Sequence, residues 1–241
     1  MAEARPKQQR RSAAAIVRDR VSRGGSRYWK HSNFKDLPPS AVAMTLSRLT
    51  KEGVLQRVGK GVYYRPRQTS FGLSIPATSG VASQTLNAPL HAAGLSAANE
   101  LGLSTQNPRR PEYATPAPGL PTALKGAVVH TGRPAERAGL SAEDGAIFET
   151  LRERARSSDL SPAKTTQRLL GLLDDEQRFM ALARAAQAEP PRVRAMLGAI
   201  GQELEMPAAA LDRLRKSLNP LSRFDFGQLR SLRHAKQWQA K

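Results

Sequence analysis

The sequence predicts an α+β fold in three parts: an N-terminal winged helix-turn-helix, a small mixed α/β middle module and a helical C-terminal region. Three observations carry this reading. Residues 12–67 place helix signals ahead of two β-rich runs joined by Gly59-Lys60-Gly61. Residues 68–142 are rich in Gly, Pro, Ser and Thr, with only short apolar runs. Residues 143–241 repeat a helical apolar period several times. A basic arm, residues 1–11, precedes them and reads either as a DNA-facing arm or as a solvated tail.

In the first part, Ser12 caps a helix from about Ala13 to Val21, with Ile16 and Val17 inward and Gly24-Gly25 as its stop. Tyr28-Trp29 reads as a short strand. Ser32 opens a second short helix through Leu37. Pro38-Pro39 ends it and preorganises the next, from about Ser40 to Glu52. Val42, Leu46 and Leu49 fall at i, i+4 and i+7 and mark its buried face. Gly53 stops it. The runs 54–58 and 62–64 then form a hairpin around the Gly-Lys-Gly tip. Helices followed by a hairpin is the order of a winged helix-turn-helix.

Charge supports that assignment. The 241 residues carry a net charge of +18. Residues 1–67 hold 16 Lys/Arg against 4 Asp/Glu, residues 68–137 hold 5 against 3, and residues 138–241 hold 17 against 13. Neutralising phosphates with Lys or Arg releases condensed counterions, so a compact basic segment is the footprint of nucleic-acid binding. An anionic membrane or an acidic protein would attract the same charge. With 39% apolar residues a packed core is within reach, and with 5% aromatics that core is aliphatic. The absence of cysteine removes disulfides, thiolate zinc sites and cysteine nucleophiles, and fits a reducing, cytoplasmic setting. No apolar run approaches the roughly 20 residues that cross a bilayer. Arg18, Asp19 and Arg20 interrupt the N-terminal stretch that a secretion signal would need.

In this motif the helix after Pro39 lies in the major groove. With Val42, Leu46 and Leu49 inward, Ser40, Ala41, Met44, Thr45, Arg48 and Lys51 fall on the outer or flanking faces. Arg48 offers a fork to guanine, Ser40 and Thr45 offer hydroxyls, and Ala41 leaves room for a thymine methyl. Lys60 at the wing tip meets phosphate or the minor groove. Arg57, Arg65 and Arg67 flank the wing as backbone contacts. For Lys51 and Arg57 a solvated helix end and strand face serve equally well. Tyr28, Trp29, Tyr63 and Tyr64 are too few for a single-strand stacking platform and read as packing.

The run AVAMTLSRLTKEGVLQRVGKGVYYRP (41–66) resembles the winged domain of AbiEi-type antitoxins of type IV toxin–antitoxin systems, a family tied to abortive infection and antiviral defence. GLSAANELGLSTQNPRRPEYATP (94–116) is similar to the segment that follows it there. PRVRAMLGAIGQEL (191–204) and LRKSLNPLSRFDFG (214–227) are similar to the C-terminal region of one branch. The winged motif by itself is generic, and GLSAANELGLSTQ is the more specific signal. The resemblance implies a transcriptional repressor that binds inverted repeats in its own promoter. It also implies an antitoxin that counteracts a nucleotidyltransferase-like toxin without a stable complex.

In the middle module, Ala92 to Leu101 reads as a helix, and Glu112–Thr115 and Ala127–His130 as strands. Glu112 and Glu136 do not make a nuclease-like acid pair, so no catalytic residue is assigned and the protein is read as a non-enzyme. Ser141 and Ser161-Pro162 start tail helices. Asp174, Asp175 and Glu176 read as helix-opening negative charge, in preference to a metal site. Pro190-Pro191 and Pro207 start two more helices. His31, His91, His130 and His234 show no ligand spacing, so no metal and no cofactor are expected. The partners expected are operator DNA, bound by a homodimer or by cooperative monomers, and the toxin as a functional partner. The rival readings are an unrelated winged-helix regulator with a ligand-sensing or dimerising C-terminal region, and a nucleic-acid-modifying enzyme.

Overall fold

The computed structural model describes residues 11–86, 88–119, 124 and 126–241. Residues 1–10 of the expected basic arm lie outside them. The described residues divide into two compact units, 11–85 with 124, and 86–119 with 126–241 less residue 87. The fold is mixed α+β, and no described helix is long and apolar enough to cross a membrane.

The first unit runs α1 (Ala13–Arg23), β1 (Tyr28–Lys30), a 3-10 turn (His31–Phe34), α2 (Pro39–Lys51), β2 (Gln56–Gly59) and β3 (Val62–Tyr64). The Ser12 hydroxyl accepts the Ala15 amide at 3.2 Å and caps α1. A Cβ at Gly24 would overlap the Trp29 indole, so the chain leaves α1 only through a glycine. The sheet order is β1-β3-β2, antiparallel throughout, and Gly61 takes φ +69° at the wing turn. Val17, Val21, Trp29, Phe34, Val42, Leu46, Leu49 and Leu55 form the core. Trp29 stacks on Phe34 at 5.4 Å between ring centres.

The element order is that of a winged helix-turn-helix, with one departure. The segment expected as a helix from Ser32 to Leu37 is only the 3-10 turn. Asn33, not Ser32, closes it, because the Asn33 Oδ1 accepts the Lys30 amide at 2.7 Å. Pro38 follows too soon for another helical turn, since a residue before proline avoids helical dihedrals. Two further pieces had no periodic signal. β4 (Gln68–Thr69) and β5 (Gly72–Leu73) form a short hairpin. α3 (Thr78–Thr85) buries Val81 and Ala82, and Gly80 sits against the Tyr28 hydroxyl.

The second unit holds a sheet of β6 (His91–Ala92), β7 (Glu112–Ala114) and β8 (Val128–His130), with β6–β7 antiparallel and β7–β8 parallel. Its helices are α4 (Gly94–Glu100), α5 (Ala142–Arg152), α6 (Pro162–Leu173), α7 (Glu176–Ala185), α8 (Pro191–Glu203) and α9 (Ala208–Lys216). Ser141, Ser161 and Asp175 cap α5, α6 and α7 through their side-chain oxygens. Leu101 and Leu103 share one core with Phe148, Leu169, Phe179, Leu197 and Trp238, so residues on both sides of position 142 pack together.

Two glycines let α8 lie close to its neighbours. A Cβ at Gly198 would overlap the Trp238 ring, and one at Gly201 would overlap Phe179. Trp238 is 1% exposed, and its Nε1 donates to Gln202 at 2.7 Å, so the ring has no room to retreat. Gly198→Ala is therefore expected to lose about 1–3 kcal/mol by overpacking, despite its better helix propensity. Chemical denaturation followed by tryptophan fluorescence checks it.

An alternating charge chain crosses this core. Arg133 and Arg137 both hold Glu149, and Arg137 and Arg152 both hold Glu189, at 2.5–2.8 Å. Burial opposes ionisation of Glu149, but the bonds from Arg133 and the charge of Arg137 outweigh it, and the carboxyl is held below the usual range. A depressed folded pKa adds stability above the unfolded value of about 4.3. That contribution is lost as pH falls through the folded value. The denaturation midpoint is expected to drop on acidification below about pH 5, and Glu149→Gln to flatten that acid limb.

Candidate nucleic-acid interface

α2 begins at Pro39, which fixes a helical φ at a position whose missing amide costs nothing. Its outer stripe is Ser40, Met44, Ser47, Arg48 and Lys51, all exposed, with Met44 at 57%. Ala41 is half-buried beside it. Ser47 was not singled out from sequence. The signal was there: it lies seven residues after Ser40, three after Met44 and four before Lys51.

Thr45 is a correction. It is 3% exposed, and its hydroxyl donates to the Ala41 carbonyl at 2.7 Å. Three residues after Val42 and four before Leu49, it belongs to the buried stripe by the same helical period. It has no hydroxyl to present to a base.

Arg65 is the second correction. Its Nη1 donates to the carbonyls of Val21 at 2.8 Å and Ser22 at 2.5 Å. It satisfies the C-terminal end of α1, where a cation also meets the favourable end of the helix dipole. Those partners lie more than forty residues away in sequence, beyond any local pattern.

The remaining predicted cations stay on the surface. Arg48, Lys51, Lys60 and Arg67 are exposed and carry no ion pair among the described residues. Arg57 is exposed on β2 and donates from Nε to the Gly59 carbonyl at 3.3 Å, stiffening the approach to the wing tip. Lys35, at the end of the 3-10 turn, is a further exposed cation that the motif-based reading passed over. The Arg27 guanidinium carbon sits over the Trp29 ring, 3.8 Å from its centre.

The acids explain why these cations are available. Asp19, Asp36 and Glu52 are the acidic residues of the described part of this unit, and each is engaged by an arginine of α1. Arg18 makes a two-armed bridge to Glu52 at 2.5 and 2.7 Å, and Arg20 one to Asp36 at 2.6 and 2.7 Å. The Arg18 bond holds Glu52 below the usual carboxylate range, so it stays ionised and paired. From residue 53 to 99 the sequence has no Asp or Glu. α1 thus pairs with the local carboxylates, while the α2 and wing cations stay exposed, Arg48 adding only a minor electrostatic pull on Glu52. Such a surface matches a polyanion.

The wing itself is fixed by packing. Val62, Tyr63 and Tyr64 are buried along β3, and a Cβ at Gly59 would overlap the Thr85 methyl of α3. Lys60 projects from a braced turn. Among the described residues there is no cluster of His, Asp or Glu suited to a metal ion.

The family of unknown function DUF6088 matches residues 21–120. No curated protein matches the chain. Among solved structures, a crystal structure of the RV2827C protein from Mycobacterium tuberculosis is similar at 16% identity and a TM-score of 0.48, covering 86% of this chain and 82% of that one.

Proposed function

We propose that the N-terminal unit binds duplex DNA sequence-selectively, with the outer face of α2 in the major groove and Lys60 at the backbone. One observation carries the reading: among the described residues Arg48, Lys51, Lys60 and Arg67 are exposed without ion pairs, while each described acid of the unit is held by an α1 arginine. Base readout falls to Arg48, with Ser40, Ser47, Met44 and Ala41 around it. Lys51, Arg57, Lys60 and Arg67 position the duplex.

In the cell, this proposal makes the protein a cytoplasmic transcriptional repressor that binds inverted repeats near its own gene, as a homodimer or as monomers that meet on DNA. The resemblance to AbiEi-type antitoxins adds the second part, opposition to a nucleotidyltransferase-like toxin encoded beside it. The test is a footprint on the DNA upstream of this gene, with and without the adjacent gene's product. Protection of paired repeats that weakens steeply with salt is the expected result. Uniform, sequence-blind protection would remove the regulatory reading. The absence of a neighbouring nucleotidyltransferase gene would remove the antitoxin part alone.

A further inference from the structure

The second unit contains a cleft of about 270 Å³ that DNA binding does not use. Sheet residues Glu112 and His130 form one wall, and the ends of α5 and α8 form the other with Arg152, Glu153 and Arg192. The Glu112 carboxylate fills the space a side chain would take at Gly94, which also holds φ +50°. Its Oε1 meets the His130 Nε2 at 2.6 Å. That contact ties the sheet wall together.

Most charges lining the cleft are matched. Glu149 is held by Arg133 and Arg137, and Arg152 by Glu189. Two are not. Among the described residues Arg192 forms no ion pair; its Nη2 donates to the Arg152 carbonyl at 2.7 Å, and its buried Nε has no partner there. Among the described residues Glu153 also forms no ion pair; its Oε2 accepts the Ser157 hydroxyl at 3.2 Å, and its buried Oε1 has no partner there. Orphaned polar atoms of this kind are uncommon in folded proteins and call for a missing partner.

Each unmatched group is also crowded by its own sign. Burial and the neighbouring Arg154 depress the Arg192 pKa; Asp225 opposes them, and Arg152 adds a smaller depression. Burial raises that of Glu153 against the Ser157 hydrogen bond, with Glu112 and Glu149 adding smaller increments. The cleft therefore holds one cation, Arg192, without an anion, and one carboxylate, Glu153, without a cation, among the described residues. A simple anion would satisfy only the first, and a simple amine only the second.

We infer that this cleft binds a small zwitterion of the free α-amino acid class, its carboxylate on Arg192 and its ammonium against Glu153 and Glu112. The volume sits just below the usual range for drug-sized ligands, about 300–1,000 Å³, and so selects a compound of few heavy atoms. The site is independent of the DNA-binding reading and stands or falls without it.

The test is calorimetric titration of the full-length protein, in buffer free of amines and carboxylates, with each of the twenty amino acids. Succinate and 1,4-diaminobutane serve as single-sign controls. Saturable binding of one or a few amino acids is expected, with neither control competing. Arg192→Lys keeps a cation but shortens its reach, and Glu153→Gln removes the acid with little change of shape. Each is expected to weaken binding by about 10- to 100-fold, the range for a lost charged hydrogen bond. Circular dichroism confirms that both variants are folded, and wild-type protein alone decides the primary question. No binding by any amino acid, equal binding of a control, or unchanged affinity in both folded variants overturns the inference.

Discussion

Replacing Arg137 by methionine is expected to lower the stability of the second unit by about 3–5 kcal/mol, the cost of leaving a buried ion pair half made. Arg137 is fully buried; its Nη1 reaches Glu149 at 2.5 Å and its Nε reaches Glu189 at 2.6 Å. Its guanidinium also lies 5.3 Å from the centre of the Phe148 ring. Methionine fills much of the volume but leaves two carboxylates, with side chains 4% and 0% exposed, each with a single remaining arginine. Arg133 and Arg152 are partly exposed, so their attraction is weakened by water and does not replace a buried partner. The measurement is urea denaturation in a Trp29→Phe background, where the fluorescence comes from Trp238 in the same unit. A triple replacement, Arg137→Met with Glu149→Leu and Glu189→Leu, is expected to recover much of the loss, because paired burial of charges is not itself stabilising. If Arg137→Met stays within about 1 kcal/mol of wild type, water reaches the network and the cost argument fails.

The contrast between the two units explains what was legible in the sequence. α2 was legible because one helix meets one core: Val42, Leu46 and Leu49 are all buried as the period requires. The same period, applied more strictly, would have buried Thr45 and exposed Ser47. The wing was legible because Gly59-Lys60-Gly61 is a local turn code, and Gly61 does take a left-handed φ. The tail caps at Ser141, Ser161 and Asp175 were equally local. What escaped was long-range. Arg65 on the end of α1, α3 on the strands, and the Arg137 chain each depend on partners brought together by folding. Their residues carry no periodic signal: α3 is TSGVASQT, and its apolar content is two buried side chains. Within the candidate interface, sequence located the helix and the wing tip. It did not show which cations were free, because that depends on where α1 places its arginines.

Arg48→Ala and Lys60→Ala are expected to weaken DNA binding in distinguishable ways, and the difference tests the proposed interface. Arg48 sits mid-stripe on α2 with a planar, exposed guanidinium and no ion pair among the described residues, the requirement for a two-armed contact to a guanine edge. Its loss is expected to cost about 1–3 kcal/mol at the cognate site and much less on random duplex, so the preference between them shrinks. Lys60 lies exposed on the turn between β2 and β3, where the proposed interface puts the phosphate backbone. Its loss is expected to weaken cognate and random duplex alike, and to lower the slope of log affinity against log salt by roughly 0.9. Arg65→Ala supplies the internal control. Its guanidinium satisfies the Val21 and Ser22 carbonyls, so it is expected to lower the melting temperature while leaving the salt slope of the folded protein unchanged. Titrations of one cognate and one scrambled duplex at several salt concentrations separate the three outcomes. If Arg65→Ala reduces the salt slope as Lys60→Ala does, its side chain leaves α1 to reach phosphate, and the division between framework and contact cations drawn from the ion pairs is wrong. If Arg48→Ala weakens both duplexes equally, α2 lies along the backbone, and the bases are read elsewhere in the protein.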